Sequence, residues 1–208
     1  MNNPFQVNTI TEVSNPVNSG YAHQVYVMNE NITSKPIGLD ISDGQLTNMQ
    51  GRRIFGFNPD IDNTYEDIWS FGGTYVFPPT GGTACRVVSS SANDAAAGTG
   101  AQTVEIWWLD SNYDEYNTIL TLNGTTPVAL TASNILRINS FHVMTVGSGA
   151  ASAGNISLQN SGGTITYGYI VASENVATQA IYTIPRSKNG YIVNWGSWKW
   201  CCINRTLL

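Results

Sequence analysis

From position 102 to position 124 the chain reads QTVEIWWLD, SNYD, EYNTILTLNG. Val104, Ile106 and Trp108 alternate with Thr103, Glu105 and Trp107, the period-2 pattern of a strand with one apolar face. Ser111-Asn112-Tyr113-Asp114 is a turn cluster, and Tyr116 to Asn123 reads as the returning strand. Asn123-Gly124 then carries a second hairpin signal, because both residues tolerate positive φ, ahead of a short strand near Val128 to Leu130. Trp107 and Trp108 are adjacent, so they face opposite sides of the sheet. One belongs to a core, and the other meets a second layer, a subunit or solvent.

The same alternation extends in both directions. Tyr21 to Met28, Arg53 to Phe57, Ile68 to Pro78 and Thr83 to Ser91 read as strands before it. Ile135 to Val146, Asn155 to Gln159, Thr164 to Ala172, Gln179 to Pro185 and Tyr191 to Trp200 follow. The broken alternation of Leu136, Ile138, Ser140, His142 and Thr145 predicts a bulge. About a dozen short strands punctuated by turn residues define an all-β chain, an antiparallel β-sandwich of jelly-roll-like type. The one helical pattern, Asp40 to Gln50, is weak. Two long loops consist of small residues, Ser89 to Ala101 and Gly147 to Gly154. They read either as mobile tips or as close subunit contacts. Organisation is expected as an extended arm over 1–18, an N-terminal β segment or anchor over 19–67, and the main sandwich over 68–208.

Of 208 residues, 42% are hydrophobic and only 11% charged, nine Lys and Arg against fourteen Asp and Glu. Soluble domains average about 25% charged residues, so polarity here comes from 22 Asn, 18 Ser and 21 Thr. A net charge of −5 without a basic run argues against nucleic acid and anionic membranes as partners, since both call for clustered Lys and Arg. No apolar run reaches the length of a membrane-spanning helix, and Met1-Asn2-Asn3-Pro4 lacks signal-peptide character. Cys85, Cys201 and Cys202 read as free thiols of a protein assembled in a reducing cytoplasm.

Catalytic signatures are sparse. His23 and His142 each lie on a strand pattern and read as satisfied β-face histidines. Val146-Gly147-Ser148-Gly149 lacks the spacing of a nucleophile elbow. Gly98-Thr99-Gly100 leads into a strand with no following lysine, so it is not a phosphate loop. Asp110, Asn112 and Asp114 place oxygens at alternate positions like a calcium loop, but Glu115 stands where the glycine belongs and Thr121 where the bidentate acid belongs. They are weak metal candidates, and a solvated turn is the preferred reading. Asp60, Asp62, Glu66 and Asp67 form a second acidic cluster, suited to calcium or to a carboxylate pair for glycoside hydrolysis. No cofactor motif is present. Trp107, Trp108, Tyr113, Trp195, Trp198 and Trp200 are the interface candidates, because exposed aromatics mark protein contacts or sugar platforms.

The run from Ile68 to Asn123 resembles a family of virion structural proteins of tailed phages, particularly phages of cyanobacteria and other aquatic bacteria. The similarity is densest at Ser90, Ala92-Asn93-Asp94 and the small-residue run to Ala101, at Leu109-Asp110 and at Leu122-Asn123-Gly124. It continues through Ile135-Leu136-Arg137-Ile138, the Gly147 to Ile156 loop and Ala180-Ile181-Tyr182-Thr183-Ile184-Pro185, covering about Ile68 to Trp195. Gly196 to Leu208 departs from the pattern and reads as a shortened, frameshifted or inserted end. The resemblance implies a non-enzymatic protein on the virion's capsid surface, a cement or decoration protein. Its implied partners are the major capsid protein and copies of itself in a homotrimer. Two alternatives are a fibre or spike component binding a host-surface glycan, and a depolymerase using the Asp60 to Asp67 acids.

Overall fold

The computed structural model describes residues 41, 43, 44, 46, 49–60 and 63–192. The expected arm over 1–18, the strand at Tyr21 to Met28, His23, Asp62, Cys201, Cys202 and the interface candidates Trp195, Trp198 and Trp200 lie outside those residues. The chain divides into two compact units, Met1–Gly51 and Arg52–Leu208. In the first, Ile41 is helical and accepts a turn hydrogen bond from the Gly44 amide at 3.1 Å. The described strands belong to the second.

Seven described strands run in order: β1 (Cys85–Ser89), β2 (Ala101–Asp110), β3 (Glu115–Thr121), β4 (Val128–Ala129), β5 (Ile135–Val146), β6 (Ile156–Asn160) and β7 (Thr166–Ile170). They form two antiparallel sheets, β4-β1-β6-β7 and β3-β2-β5, the two layers of a β-sandwich. A jelly roll has eight strands in two Greek keys, which goes beyond these seven. Alternation sets the faces as expected: Val104, Ile106 and Trp108 of β2 point inward and are buried, against Val87, Ile156, Leu158 and Ile170 of the other sheet. The expected irregularity in β5 is present as register shifts along its pairing with β2. Phe141 of β5 bridges the layers, and a Cβ on Gly168 of β7 would stand 3.0 Å from its ring. Truncating such a ring to alanine typically costs about 3–5 kcal/mol.

Three expected strands are only isolated bridges or extended chain. Gly72 and Gly73 take positive φ and Pro78-Pro79 lacks amide donors, so Ile68 to Pro78 contributes a single bridge, Trp69 to Gln179. Gln179 to Pro185 meets it through that bridge, whose bonds are Ser70 N–H to the Thr178 carbonyl at 3.0 Å and Ala180 N–H to the Ile68 carbonyl at 2.9 Å, and Arg53 to Phe57 adds Phe57 N–H to the same Thr178 carbonyl at 3.5 Å. Of the expected strand Tyr191 to Trp200 only Tyr191 and Ile192 lie among the described residues, and both are exposed and outside any strand.

The Asn123-Gly124 reading also needs correction. β3 and β4 lie in different sheets, so this turn carries the chain from one layer to the other instead of closing a hairpin. Gly124 does take φ 58°, but its amide and carbonyl are held by Asp94 O (2.7 Å) and Ser89 N (3.1 Å). A turn signal is local, whereas the strand partners are chosen by the layers around it.

Asp94 organises the small-residue loops. It is fully buried. Its Oδ1 accepts from the amides of Ala101 (2.7 Å) and Ala153 (2.8 Å), and its Oδ2 from the Ser89 hydroxyl (2.5 Å) and the Gly154 amide (2.9 Å). The two loops therefore pack on each other inside the chain, with Gly147 N–H to the Gly100 carbonyl at 2.8 Å and Gly149 N–H to the Thr99 carbonyl at 2.7 Å. Close approach requires glycine here: a Cβ on Gly100 would fall on the Asp94 carboxylate, and one on Gly147 would come within 2.9 Å of Thr99 backbone. Asp94→Asn turns an acceptor into an NH₂ group facing fixed amides. Its expected cost is about 3 kcal/mol, a fall in Tm of roughly 6–12 °C for a domain of this size. An unchanged melting curve would refute the clamp.

Candidate functional site

The outward face of β3-β2-β5 gathers the polar and aromatic side chains with the most chemistry. Register sets Glu105 opposite His142 on β5 and Ile119 on β3, and Trp107 opposite Asn117 and Ser140. Glu105 binds His142 Nε2 at 3.0 Å and accepts from Asn117 Nδ2 at 3.0 Å. These partners hold its carboxyl below the usual range, the Asn117 hydrogen bond most strongly, with the Trp107 indole N–H and His142 adding to it. Ser140 Oγ lies 3.5 Å from His142 Nδ1, at the outer limit of a hydrogen bond.

Serine, histidine and glutamate in one line invite comparison with a hydrolase triad, yet the surroundings do not complete one. An oxyanion needs free N–H donors aimed at it. β2 is paired on both sides, and β5 is bonded on its outer side by Asn175 and Ala177. The line is cross-strand pairing on a sheet surface. Its members come from two strands, which is why sequence reading did not bring them together.

Beside it, a cleft of about 90 Å³ is lined by Arg52, Trp107, Glu115, Asn139, Ser140 and Tyr182 among others. Pockets for drug-sized ligands run about 300–1,000 Å³, so this is a shallow surface feature. Arg52 places its guanidinium 5.6 Å from the Trp107 ring centroid, a cation–π contact. Asn139 exchanges two hydrogen bonds with the Thr183 backbone, 2.8 and 2.9 Å, and so docks Tyr182 against β5. Burial pushes the Tyr182 hydroxyl up; Glu115 adds to the rise and Arg52 opposes it.

The sequence candidates fall in different places. Trp107 is half-buried on this outward face, while Trp108 is buried, donates to Thr118 Oγ1 at 3.0 Å and stacks on Tyr116 with ring centroids 4.9 Å apart. Tyr113 is exposed at the β2–β3 turn with φ 65°. Asp110 and Asp114 share that turn, but Asp110 Oδ1 accepts from the Asn112 and Asp114 amides (2.8 and 3.0 Å), and Asp114 forms a two-pronged ion pair with Arg186 (3.1 and 3.0 Å). Their oxygens hold the turn together. Among the described residues no group of three or more His, Cys, Asp or Glu is placed to hold a metal. Of the second cluster, Glu66 accepts from Asn58 Nδ2 at 2.7 Å and Asp67 from the Tyr75 amide at 2.7 Å. Cys85 is buried in the core, and desolvation pushes its thiol up to about 12. Comparison with known protein families, with curated proteins and with solved structures finds no match to this chain.

A depressed carboxyl contributes stability that is present above its unfolded pKa and disappears as pH falls through the folded one. Glu105→Gln is therefore expected to lower stability by about 0.5 kcal/mol near neutrality, as for exposed pairs. The gap between the two proteins should close as the solution is acidified. Denaturant melts at several pH values measure it, and a gap that widens in acid would contradict the assignment.

Proposed function

We propose that this chain is a non-enzymatic virion structural protein that binds the outside of a capsid shell as a cement or decoration protein. The observation that carries the reading is the stretch from Ile54 to Phe77. Phe55, Phe57, Phe71 and Phe77 stand 68%, 52%, 51% and 48% exposed there, alongside Ile54, Ile68 and Val76. Exposed apolar side chains in such density are characteristic of protein-contacting surfaces. The low charge adds to the case, because burying unpaired charges at an interface costs several kcal/mol each. The kind of partner is taken from the resemblance to phage virion proteins read in the residues from Ile68 to Trp195. In this role the polar side chains of the outward sheet face maintain the fold.

The test uses shells of the phage that encodes the chain, stripped of it. Added protein should bind to a fixed stoichiometry and raise the temperature at which shells rupture. Phe55→Lys should weaken binding about tenfold, equivalent to about 1.4 kcal/mol. Shells indifferent to the protein would overturn the proposal. A second reading, a fibre or spike component that binds a host glycan, rests on half-exposed Trp107 with Glu115 and Asn139 at its side. Glycan binding lost in Trp107→Ala would favour it.

A further inference from the structure

Sheet edges are where a β-sandwich is open to other chains, and the edges here are treated unequally. β5 is covered by Asn175 to Ala177, with Val143 N–H bonded to the Asn175 carbonyl (2.7 Å) and Ala177 N–H to the Phe141 carbonyl (2.9 Å). β7 is capped by two hydroxyls: Ser70 Oγ donates to the Tyr169 carbonyl and Tyr75 Oη to the Tyr167 carbonyl, both at 2.8 Å. β4 is only two residues long. β3 is different. It is a seven-residue edge strand, EYNTILT, with regular pairing to β2 and no bulge.

Which of its backbone groups are free follows from the ladder. Leu122 N–H bonds to the Gln102 carbonyl at 2.9 Å, so Gln102 and Leu122 form a hydrogen-bonded pair. In an antiparallel ladder such pairs alternate, so Tyr116, Thr118 and Leu120 bond to β2. Glu115, Asn117, Ile119 and Thr121 turn their amides and carbonyls outward, and among the described residues these groups have no backbone partner. Glu115 is the only charged residue of β3. Asn117, Ile119 and Thr121 are exposed, Ile119 at 55%. Lysine, proline and bulges, the usual protections of an edge, are missing.

We infer that β3 is a self-association edge, pairing antiparallel with β3 of a second copy about a two-fold axis at Thr118. This register is self-complementary. It sets Asn117 opposite Ile119 of the second copy and Glu115 opposite its Thr121, so every outward amide and carbonyl of the edge finds a partner and no like charges face each other. The two copies' β3-β2-β5 sheets become one continuous sheet. A closed isologous dimer of this kind uses the open edge once and leaves none for further growth along it. The inference does not depend on the virion reading.

Sedimentation of the full chain across a range of concentrations tests it, with circular dichroism to verify the fold of each variant. Wild type should sediment as a dimer. Asn117→Lys with Ile119→Lys puts lysine opposite lysine twice and should weaken association by about tenfold or more. Asn117→Lys with Ile119→Glu puts lysine opposite glutamate twice and should remain dimeric. These side chains lie on the exposed face, so the β2–β3 ladder is kept in both variants. A monomeric or trimeric wild type, or a folded double-lysine variant that still dimerises with unchanged affinity, would overturn the inference.

Discussion

A carboxylate removed from water has to be surrounded by donors, because its desolvation costs several kcal/mol, and Asp94 draws four of them from segments far apart in sequence. Ser89 closes β1, Ala101 opens β2, and Ala153 and Gly154 belong to the loop before β6. One side chain thus fixes where strands of both sheets begin and end. The backbone carbonyl of the same residue receives the Gly124 amide, where the chain crosses between layers. The alanines and glycines around Asp94 are the geometric condition for this arrangement, since larger side chains would keep the backbone amides away from the carboxylate.

With the loops anchored in that way, the sheets meet over a core of Val104, Ile106, Phe141, Leu158 and Tyr167 with little room for error. Most other polar side chains work in pairs near the surface: Glu105 with His142 and Asn117 and Thr103 with Thr145 at 2.7 Å across strands, and Asp114 with Arg186 at the β2–β3 turn. A protein with so few charges uses them as local fasteners. The remaining surface carries few charges, so burying part of it would meet little of the penalty that an unpaired charge imposes.

The contrast among edges carries the same logic. Ser70, Tyr75 and the segment through Asn175 occupy backbone groups that would otherwise attract foreign strands. Of the covering segments, 68–78 is an expected strand that did not mature into one, and Asn175 to Ala177 lies just ahead of another, Gln179 to Pro185. Both cover sheet edges, and in 68–78 the exposed Phe71 and Phe77 face outward from the sandwich.

Much of this was legible from residue order alone. Alternation identified β2, β3, β5 and their faces, the bulge in β5, and the division of Trp107 from Trp108, because a strand's side-chain period is a local property of the backbone. Asp94 was visible only as part of a small-residue run, and Glu105 only as a polar position in a strand. The sheet each strand joins, the crossing at Asn123-Gly124 and the lining of the Trp107 cleft were decided by tertiary structure. Pairing joins residues tens of positions apart, and a local pattern carries no information about its distant partner. The low charge was plain from composition; only the fold could show which strand edge is unpaired among the described residues, since that depends on which strands are already covered.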